Sequence, residues 1–404
     1  MLGNIAYADY KKKSDIHGTV LYPAVMIAPI QKDILNDLIS KREITSIFDP
    51  FHGSGTSLYE GLEVSDKIWL FGCDINPLAN LITKVKLQGV APSIYEDIEV
   101  LKINIRDIEI NDKYSFPNID KWFREDISAD LQRIRSSIML IENKQNRLYF
   151  WYMLCDIIRK YSNTRSSTYK LHIKKSDAID RMVNNVISEF ISSVEQNVNK
   201  FRKSSKKFKL WKCDILQKIR EIDNDAFDIS ITSPPYGDNA TTVPYGQFSM
   251  LPLYWIDKHD LELEGWELDN YSKIDSKSLG GSSKKIIINE FEYELIRPYL
   301  SKISDAKKGK VIKYFNDYFV FLRELCRVTR VYIVMTLGNR TVDRVNIDLT
   351  DISKRFLEVH NFTNIQTVKR EIPKKRIPRT TSKVYNKPVN SMNYEYIIIY
   401  RKNK

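Results

Sequence analysis

The chain has 404 residues, and 63 Lys and Arg against 51 Asp and Glu give it a formal net charge of +12. This length allows one large domain with additions or two domains, and the positive charge suits a polyanionic partner without identifying one. No run reaches the roughly 18 uncharged apolar residues of a membrane span, and residues 1–10 lack the basic start and apolar centre of a signal peptide. We therefore expect a cytoplasmic protein without a membrane partner.

The cysteines are few and scattered, at Cys73, Cys155, Cys213 and Cys326. No two of them form a CxxC pair, and the chain has only five histidines. This spacing argues against a zinc site and against a disulfide framework. We expect reduced thiols and no metal ion.

The first recognisable unit is β-α-β. Residues 44–49 are typical of a strand, the loop DPFHGSGT follows at 49–56, and a helical stretch begins at Ser57. A second apolar strand at 69–74 ends in Asp74.

Residues 85–205 carry amphipathic helical patterns, for example at 130–140, and a polar connector at 162–169. We interpret this segment as a helical insertion. Two strand-like runs follow it, at 208–214 and 226–232.

An irregular region with Gly280 and Gly281 comes after residue 236, and the helix-strand alternation then resumes. The later elements are a helix, a strand, a helix and two consecutive strands, at 316–326, 331–336, 345–358, 365–368 and 394–400. The whole pattern predicts an α/β fold with a doubly wound sheet and a helical insertion.

The glycine loop after the first strand suits a nucleoside-type ligand. Gly53 and Gly55 can adopt backbone angles that other residues resist, and they let a ligand approach a helix N-terminus closely. Asp74, about twenty residues on, can accept both ribose hydroxyls of an adenosine. A tight strand-helix turn is the alternative, while a phosphate loop is disfavoured because GxxxxGK[ST] is absent.

Acidic residues also end two other strand-like runs, Asp49 and Asp214. Ligands of open α/β sheets collect at the carboxyl ends of the strands, which favours these residues as site members. Asp214 is predicted to accept a hydrogen bond from an adenine amino group, with a helix N-cap as the alternative.

The strongest signal is TSPPY at 232–236, after the fourth strand. Pro234 and Pro235 fix an extended backbone whose carbonyls are expected to be free for a ligand. The Ser233 hydroxyl and the Pro234 carbonyl can accept the two hydrogens of an exocyclic amine, and Tyr236 can stack on its ring and stabilise positive charge. A plain Pro-Pro turn is the alternative.

This constellation resembles the amino-group DNA methyltransferases, which carry a FxGxG cofactor loop and a (D/N/S)PP(Y/F/W) catalytic loop. The matching residues are 51–55 and 233–236, and the likeness covers most of the chain outside the inserts. Residues 17–26 resemble the segment under the methionine end of the cofactor, and 237–249 resemble a continuation found in bacterial members. The resemblance implies a Rossmann-like sheet with a reversed last strand.

The cofactor that the resemblance implies is S-adenosylmethionine. The residues expected to bind it are Tyr22, Pro23, Asp49, Pro50, Phe51, Gly53, Ser54, Gly55, Thr56, Asp74, Ile75 and Asp214. The catalytic residues expected are Ser233, Pro234, Pro235 and Tyr236.

Within this family, serine at the first catalytic position resembles the cytosine-N4 enzymes, and adenine-N6 methylation is the alternative. Cytosine-C5 methylation requires a thiolate nucleophile, and no cysteine of this chain follows a proline. The expected domains are a catalytic domain of 1–84 and 206–404, the insertion 85–205, and a target recognition region at 237–310.

The segment 369–387 concentrates basic charge with one acid, Glu371. If the strand before it is parallel to the others, this segment lies at the catalytic edge and suits DNA phosphates. The residues expected there are Lys369, Arg370, Lys374, Lys375, Arg376 and Arg379. A solvated loop is the alternative.

The expected partners are double-stranded DNA and a cognate restriction enzyme or another defence protein. Two other functions stay open at this point: an RNA or protein amino-group methyltransferase, and a catalytically silent nucleic-acid-binding module.

Overall fold

A computed structural model describes residues 7, 10–237, 243–263, 270–281, 285–371 and 394–403, and the backbone alone of 380–384 and 387–390. The strands β1 to β11 are Ser46–Asp49, Trp69–Cys73, Phe208–Trp211, Phe227–Thr232, Thr329–Gly338, Arg340–Val342, Val345–Ile347, Phe362–Glu371, Thr380–Val384, Lys387–Asn390 and Tyr394–Lys402. The helices α1 to α14 are Ala28–Lys41, Thr56–Val64, Pro77–Gln88, Ile94–Asp107, Ile119–Trp122, Glu125–Met139, Lys144–Tyr161, Ser176–Asp180, Val186–Asn197, Ile215–Lys218, Tyr245–Trp255, Glu290–Leu300, Asp305–Val328 and Leu349–Val359.

The central sheet has the strand order β3-β2-β1-β4-β5-β11-β8. Strands β1 to β5 pair in parallel, and β11 pairs antiparallel with both β5 and β8. The last strand is therefore the reversed one, and β8 runs parallel to β1 to β5. The predicted α/β fold, a doubly wound Rossmann-like methyltransferase sheet with a reversed last strand and added helices, is confirmed.

The chain order along this sheet reverses between β1 and β4, which are neighbours. Such a topological switch point opens a crevice outside the carboxyl ends of the strands. The loops that follow β1 and β4 are the glycine loop and the TSPPY loop, so the topology brings these two motifs to one crevice.

Helices cover both faces of the sheet, and a hydrophobic core lies on each side. One core joins the sheet to α1, α2, α3 and α11 and to the helices α4 to α7 and α9. The other joins it to α10, α12, α13 and α14. Helix α6 is an amphipathic helix that packs its apolar side into the core. Its residues Leu131, Ile134 and Ile138 recur at three- and four-residue spacing and are all fully buried.

The predicted insertion is largely helical, from α4 to α9. The predicted first residue of the insertion, residue 85, lies inside helix α3. This helix begins at Pro77, after the N-cap residue Asn76, and ends at Gln88. The polar segment 162–169 is irregular, as predicted, apart from an isolated bridge between Thr164 and Ile173.

One prediction between β5 and β8 is wrong in part. The helix expected at 345–358 begins only at Leu349, because Val345–Ile347 forms the hairpin β6–β7 with Arg340–Val342. The turn residues Asp343 and Arg344 have φ angles of 48° and 67°. Two consecutive positive φ angles are typical of the tight turn that suits a two-residue hairpin.

The region after residue 236 is also less irregular than predicted. It contains α11 and α12, together with a 3-10 helix at Tyr271–Lys277. Helix α11 packs against α7, α3 and that 3-10 helix, so it is buried on several sides. Its sequence therefore lacks the polar face that makes a helical period visible.

Among the described residues, none of the helices combines the length and the apolar character that crossing a membrane requires.

Candidate functional site

The crevice at the switch point is a cavity of about 610 Å³. This volume falls within the roughly 300–1,000 Å³ of small-molecule sites. Most of the residues predicted for the site border it: Tyr22, Pro23, Pro50, Phe51, Gly53, Ser54, Thr56, Asp74, Ile75, Asp214, Ser233, Pro234, Pro235, Tyr236 and Arg370.

The glycine loop turns sharply between β1 and α2. Gly55 has a φ of 71° and is the N-cap residue of α2, while its amide donates to the His52 carbonyl at 2.6 Å. A Cβ atom at Gly55 would lie only 2.6 Å from the Thr83 side chain. Gly55 therefore shapes the loop, and it is not among the residues that border the cavity.

Asp74 lies just after β2 and faces the glycine loop. Its Oδ2 accepts the Gly53 amide at 3.0 Å, and its Oδ1 accepts the Asn76 amide at 2.8 Å. Burial raises the pKa of Asp74 to about 6, against the opposing effect of these two amides. Because each carboxylate oxygen can accept more than one hydrogen bond, Asp74 keeps acceptor capacity toward the cavity.

Asp49, at the end of β1, was expected to bind the cofactor, but it lies away from the cavity. It is fully buried, does not border the cavity, and accepts hydrogen bonds from Thr232 Oγ1 at 2.8 Å, from the Phe51 amide at 3.1 Å and from Ser57 Oγ. Burial raises its pKa to about 6. Asp49 thus connects the end of β4 to the glycine loop and to the start of α2.

Asp214 lies three residues beyond the end of β3, because that strand stops at Trp211 rather than at 214. Its side chain caps α10 by accepting the Leu216 amide at 2.9 Å, which is the N-cap arrangement. It also borders the cavity.

The segment before α1 contributes Tyr22 to the wall of the cavity. Its hydroxyl accepts a hydrogen bond from Asn76 Nδ2 at 3.1 Å, and its ring stacks on Tyr245 with 5.8 Å between centroids. Asn76 Nδ2 also donates to Ser249 Oγ at 2.8 Å. Asn76 therefore connects the residues after β2 to the N-terminal segment and to α11.

The TSPPY loop leaves β4 at the edge of the cavity. Ser233 Oγ and the Tyr236 hydroxyl lie 3.1 Å apart. Tyr314 donates to the Pro235 carbonyl at 2.6 Å, so the expectation that both proline carbonyls are free is wrong for Pro235. Burial raises the pKa of Tyr236 further above its ordinary value.

The basic residues predicted to contact DNA divide into two groups. Lys369 is exposed, with its ammonium group 4.1 Å from the centre of the Tyr394 ring. Arg370 instead borders the cavity and is only 10% exposed. The other four, Lys374, Lys375, Arg376 and Arg379, lie outside the described residues.

Several residues in or next to the site belong to no recognisable sequence motif and were not predicted. Lys86 is buried in α3 and donates to the Ser54 carbonyl at 2.8 Å, and burial lowers its pKa to about 7. Tyr169, from the polar segment of the insertion, borders the cavity and packs edge-to-face on Phe248. Only Asn76, directly before Pro77, carries a signal, that of a helix start.

Across the residues that the structure describes, no group of three or more His, Cys, Asp or Glu side chains is arranged to hold a metal ion.

Comparison with known proteins finds a relative along nearly the whole chain, although no family model matches the sequence. The chain is 31% identical over 430 aligned positions to the Type II methyltransferase M.MvaI of Kocuria varians. The alignment covers 98% of this chain and 93% of the relative. With this identity over this length, and with the sheet described above, the chain belongs to the Type II DNA methyltransferases.

Proposed function

We propose that this protein transfers a methyl group from S-adenosylmethionine to the N4 atom of a cytosine flipped out of double-stranded DNA at a specific sequence. The observation that carries the proposal is a shared cavity: Ser233 and Tyr236 border the same space as Gly53 and Asp74. Acceptors for an amine therefore lie beside a site that suits a nucleoside.

The residues of the cavity fit the proposed cofactor. Asp74 is positioned by two amides and keeps lone pairs for the ribose hydroxyls, and Gly53 leaves room for close approach to the loop. Asp214 would accept a hydrogen bond from the adenine amino group, and Tyr22 and Pro23 would border the methionine end. Membership of the Type II methyltransferases supports the same methyl donor.

When bound, S-adenosylmethionine supplies an electrophilic methyl group on a sulfonium. The protein's task is then to orient the target amine, whose lone pair is delocalised into the base ring. Ser233 Oγ and the Pro234 carbonyl each accept a hydrogen bond from the amine, which favours a pyramidal nitrogen and directs its lone pair at the methyl group.

Tyr236 provides the ring on which the target base stacks and stabilises the positive charge that develops on the amine. Its 3.1 Å contact with Ser233 orients the serine hydroxyl. The bond from Tyr314 to the Pro235 carbonyl holds the loop from the other side. Pro235 therefore serves the loop's conformation, while Pro234 supplies the acceptor.

The choice of cytosine N4 rests on Ser233, since asparagine or aspartate is the usual residue at this position in adenine-N6 enzymes of the family. Adenine N6 is the alternative, because the association is imperfect. Either base must leave the duplex, since its amino group is engaged in pairing there.

The duplex itself would be held by the basic segment that begins at Lys369, while 237–310 would read the sequence. Strand β8 is parallel to β5, so its carboxyl end lies at the edge of the cavity and supports this arrangement. A restriction endonuclease of the same specificity is the partner we propose, and the cytoplasm is the compartment.

Incubation of the purified protein with methyl-labelled S-adenosylmethionine and either duplex DNA or RNA tests the substrate class. We expect label in DNA, and none above background with the Tyr236→Ala variant. Label in RNA alone would overturn the proposal.

A further inference from the structure

Two oppositely charged side chains lie where the cavity meets the last two strands of the sheet. Arg370 on β8 and Glu395 on β11 are directly opposite in the antiparallel register. Arg370 Nη2 and Glu395 Oε2 are 3.4 Å apart, and the two side chains are 10% and 25% exposed. Both border the cavity that contains Ser233 and Tyr236.

A third polar residue shares this face of the sheet. Thr336 on β5 pairs with Ile397 on β11, two positions from Glu395, so its side chain points to the same side of the sheet. Thr336 Oγ1 and Arg370 Nε are both buried, and neither has a hydrogen-bond partner among the described residues. Buried polar atoms without partners are unfavourable, so these two atoms suit a polar ligand group in the cavity.

This pair also acts electrostatically on the catalytic loop. After the larger effect of burial, the Glu395 carboxylate raises the pKa of Tyr236, and the Arg370 guanidinium lowers it. The two charges are therefore close to the ring that we propose stacks on the target base.

The donors of Arg370 match one edge of cytosine. Beside its amino group, cytosine presents two acceptors, N3 and O2, and in the duplex these accept two N–H groups of guanine. A guanidinium presents N–H donors in a similar planar fork. On its pairing edge adenine has only one acceptor beside the amino group, N1, and the next ring atom is a carbon that carries hydrogen.

We propose that Arg370, oriented by Glu395 and on the same side of the sheet as Thr336, binds N3 and O2 of the flipped cytosine and selects cytosine over adenine. This role rests on the proposed function and replaces phosphate contact for Arg370. The pairing with Glu395 explains why the guanidinium is retained at a buried position instead of extending into solvent.

The test uses duplexes of the enzyme's recognition sequence, established beforehand by methylome sequencing, with cytosine or adenine at the target position opposite the same mismatched base. Affinity for both duplexes is measured with bound S-adenosylhomocysteine, for wild type, Arg370→Lys, Arg370→Met and Glu395→Gln. Arg355→Met is the matched control, because this arginine is on α14 with a side chain that is 54% exposed.

We expect Arg370→Lys and Arg370→Met to lower the preference for cytosine over adenine by about tenfold or more, since a bidentate contact is lost. Glu395→Gln should lower it less, and the control should not change it. Affinity for S-adenosylhomocysteine should be retained in all four variants. An unchanged preference in both Arg370 variants, or an equal loss of affinity for the two duplexes, would overturn the role of Arg370.

The methylated product distinguishes failure of the proposed function from failure of the role of Arg370. If the wild-type enzyme produces N6-methyladenine, both the proposed function and this role are wrong. If it produces N4-methylcytosine while the Arg370 variants keep the preference, only the role of Arg370 is wrong.

Discussion

The Asp74 carboxylate accepts two backbone amides and still has capacity for a ligand. Asp74→Ala should weaken binding of S-adenosylmethionine by about 1.5–3 kcal/mol, because it removes a charge-assisted acceptor for the ribose. Isothermal titration calorimetry measures this change, and circular dichroism checks that the fold is retained. Unchanged affinity would remove Asp74 from the cofactor site.

The same carboxylate should make cofactor binding depend on pH. Its pKa is about 6 in the free protein, and hydroxyl donors favour the charged form, so the pKa falls when the cofactor binds. Affinity should be full above pH 6 and should weaken as the pH falls through 6. The difference in affinity between wild type and Asp74→Asn should shrink over this range, and a constant difference would contradict the assignment.

Tyr236 should matter more to turnover than Ser233 does. Tyr236→Ala loses both the ring on which the base stacks and the stabilisation of positive charge on the amine. In Ser233→Ala, the Pro234 carbonyl can still accept one hydrogen bond from the amine. We expect measurable turnover from Ser233→Ala and none above background from Tyr236→Ala, with cofactor affinity retained in both. Single-turnover rates with duplex DNA test the order, and the reverse order would contradict the proposed roles.

Three aspartates look alike in the sequence, since each follows a strand-like run, but their surroundings differ. Asp74 faces the cavity, Asp214 borders it while capping α10, and Asp49 is buried between two loops. The position of a carboxylate along a strand could be predicted from the sequence. Its partners could not, because Thr232 and Ser57 reach Asp49 only through the packing of separate elements.

At the level of elements, the loop between β1 and α2 depends on the backbone of Gly55. Gly55→Ala should lower the free energy of unfolding by about 1–3 kcal/mol, because the residue has a positive φ and the new methyl group meets Thr83. Gly309→Ala is the matched control: this glycine lies in α13 with no atom near the added methyl group, so we expect a gain of about 0.5–1 kcal/mol. Urea denaturation measures both changes, and equal effects would contradict the role of Gly55.

The basic segment after β8 should act as a phosphate-binding element. Replacing Lys374, Lys375 and Arg376 together with Ala should weaken DNA binding by a similar factor for all sequences and should flatten its salt dependence. Affinities measured over a series of salt concentrations, with cognate and unrelated duplexes, test this expectation. A selective loss for the cognate duplex with an unaltered salt slope would contradict it.

The strands and helices that alternate regularly were predictable, and the exceptions have physical causes. The strands β1, β2, β4 and β5 are apolar runs that follow the expected pattern. Helix α11 was missed because it is buried on several sides, and the hairpin β6–β7 was missed because Arg344 occupies the turn position where glycine usually follows an aspartate. Both depend on tertiary surroundings more than on local preference.

At the scale of the whole molecule, the strand order determines where the chemistry lies. Two motifs separated by almost 180 residues meet because β1 and β4 are neighbours at the switch point. The motifs themselves were visible in the sequence. The contributions of Tyr169 from the insertion and of Glu395 from the last strand were not, and Arg370 was predicted only as a DNA contact, since a place at the cavity depends on contacts between distant segments.

We propose that the protein methylates the exocyclic amine of a cytosine bound in this cavity. Mass spectrometry of nucleosides from DNA treated with the purified enzyme and S-adenosylmethionine tests it most directly, with Tyr236→Ala-treated DNA as the background. We predict N4-methylcytosine. N6-methyladenine alone would contradict the assigned base, and 5-methylcytosine would contradict both the base position and the direct transfer to an amine.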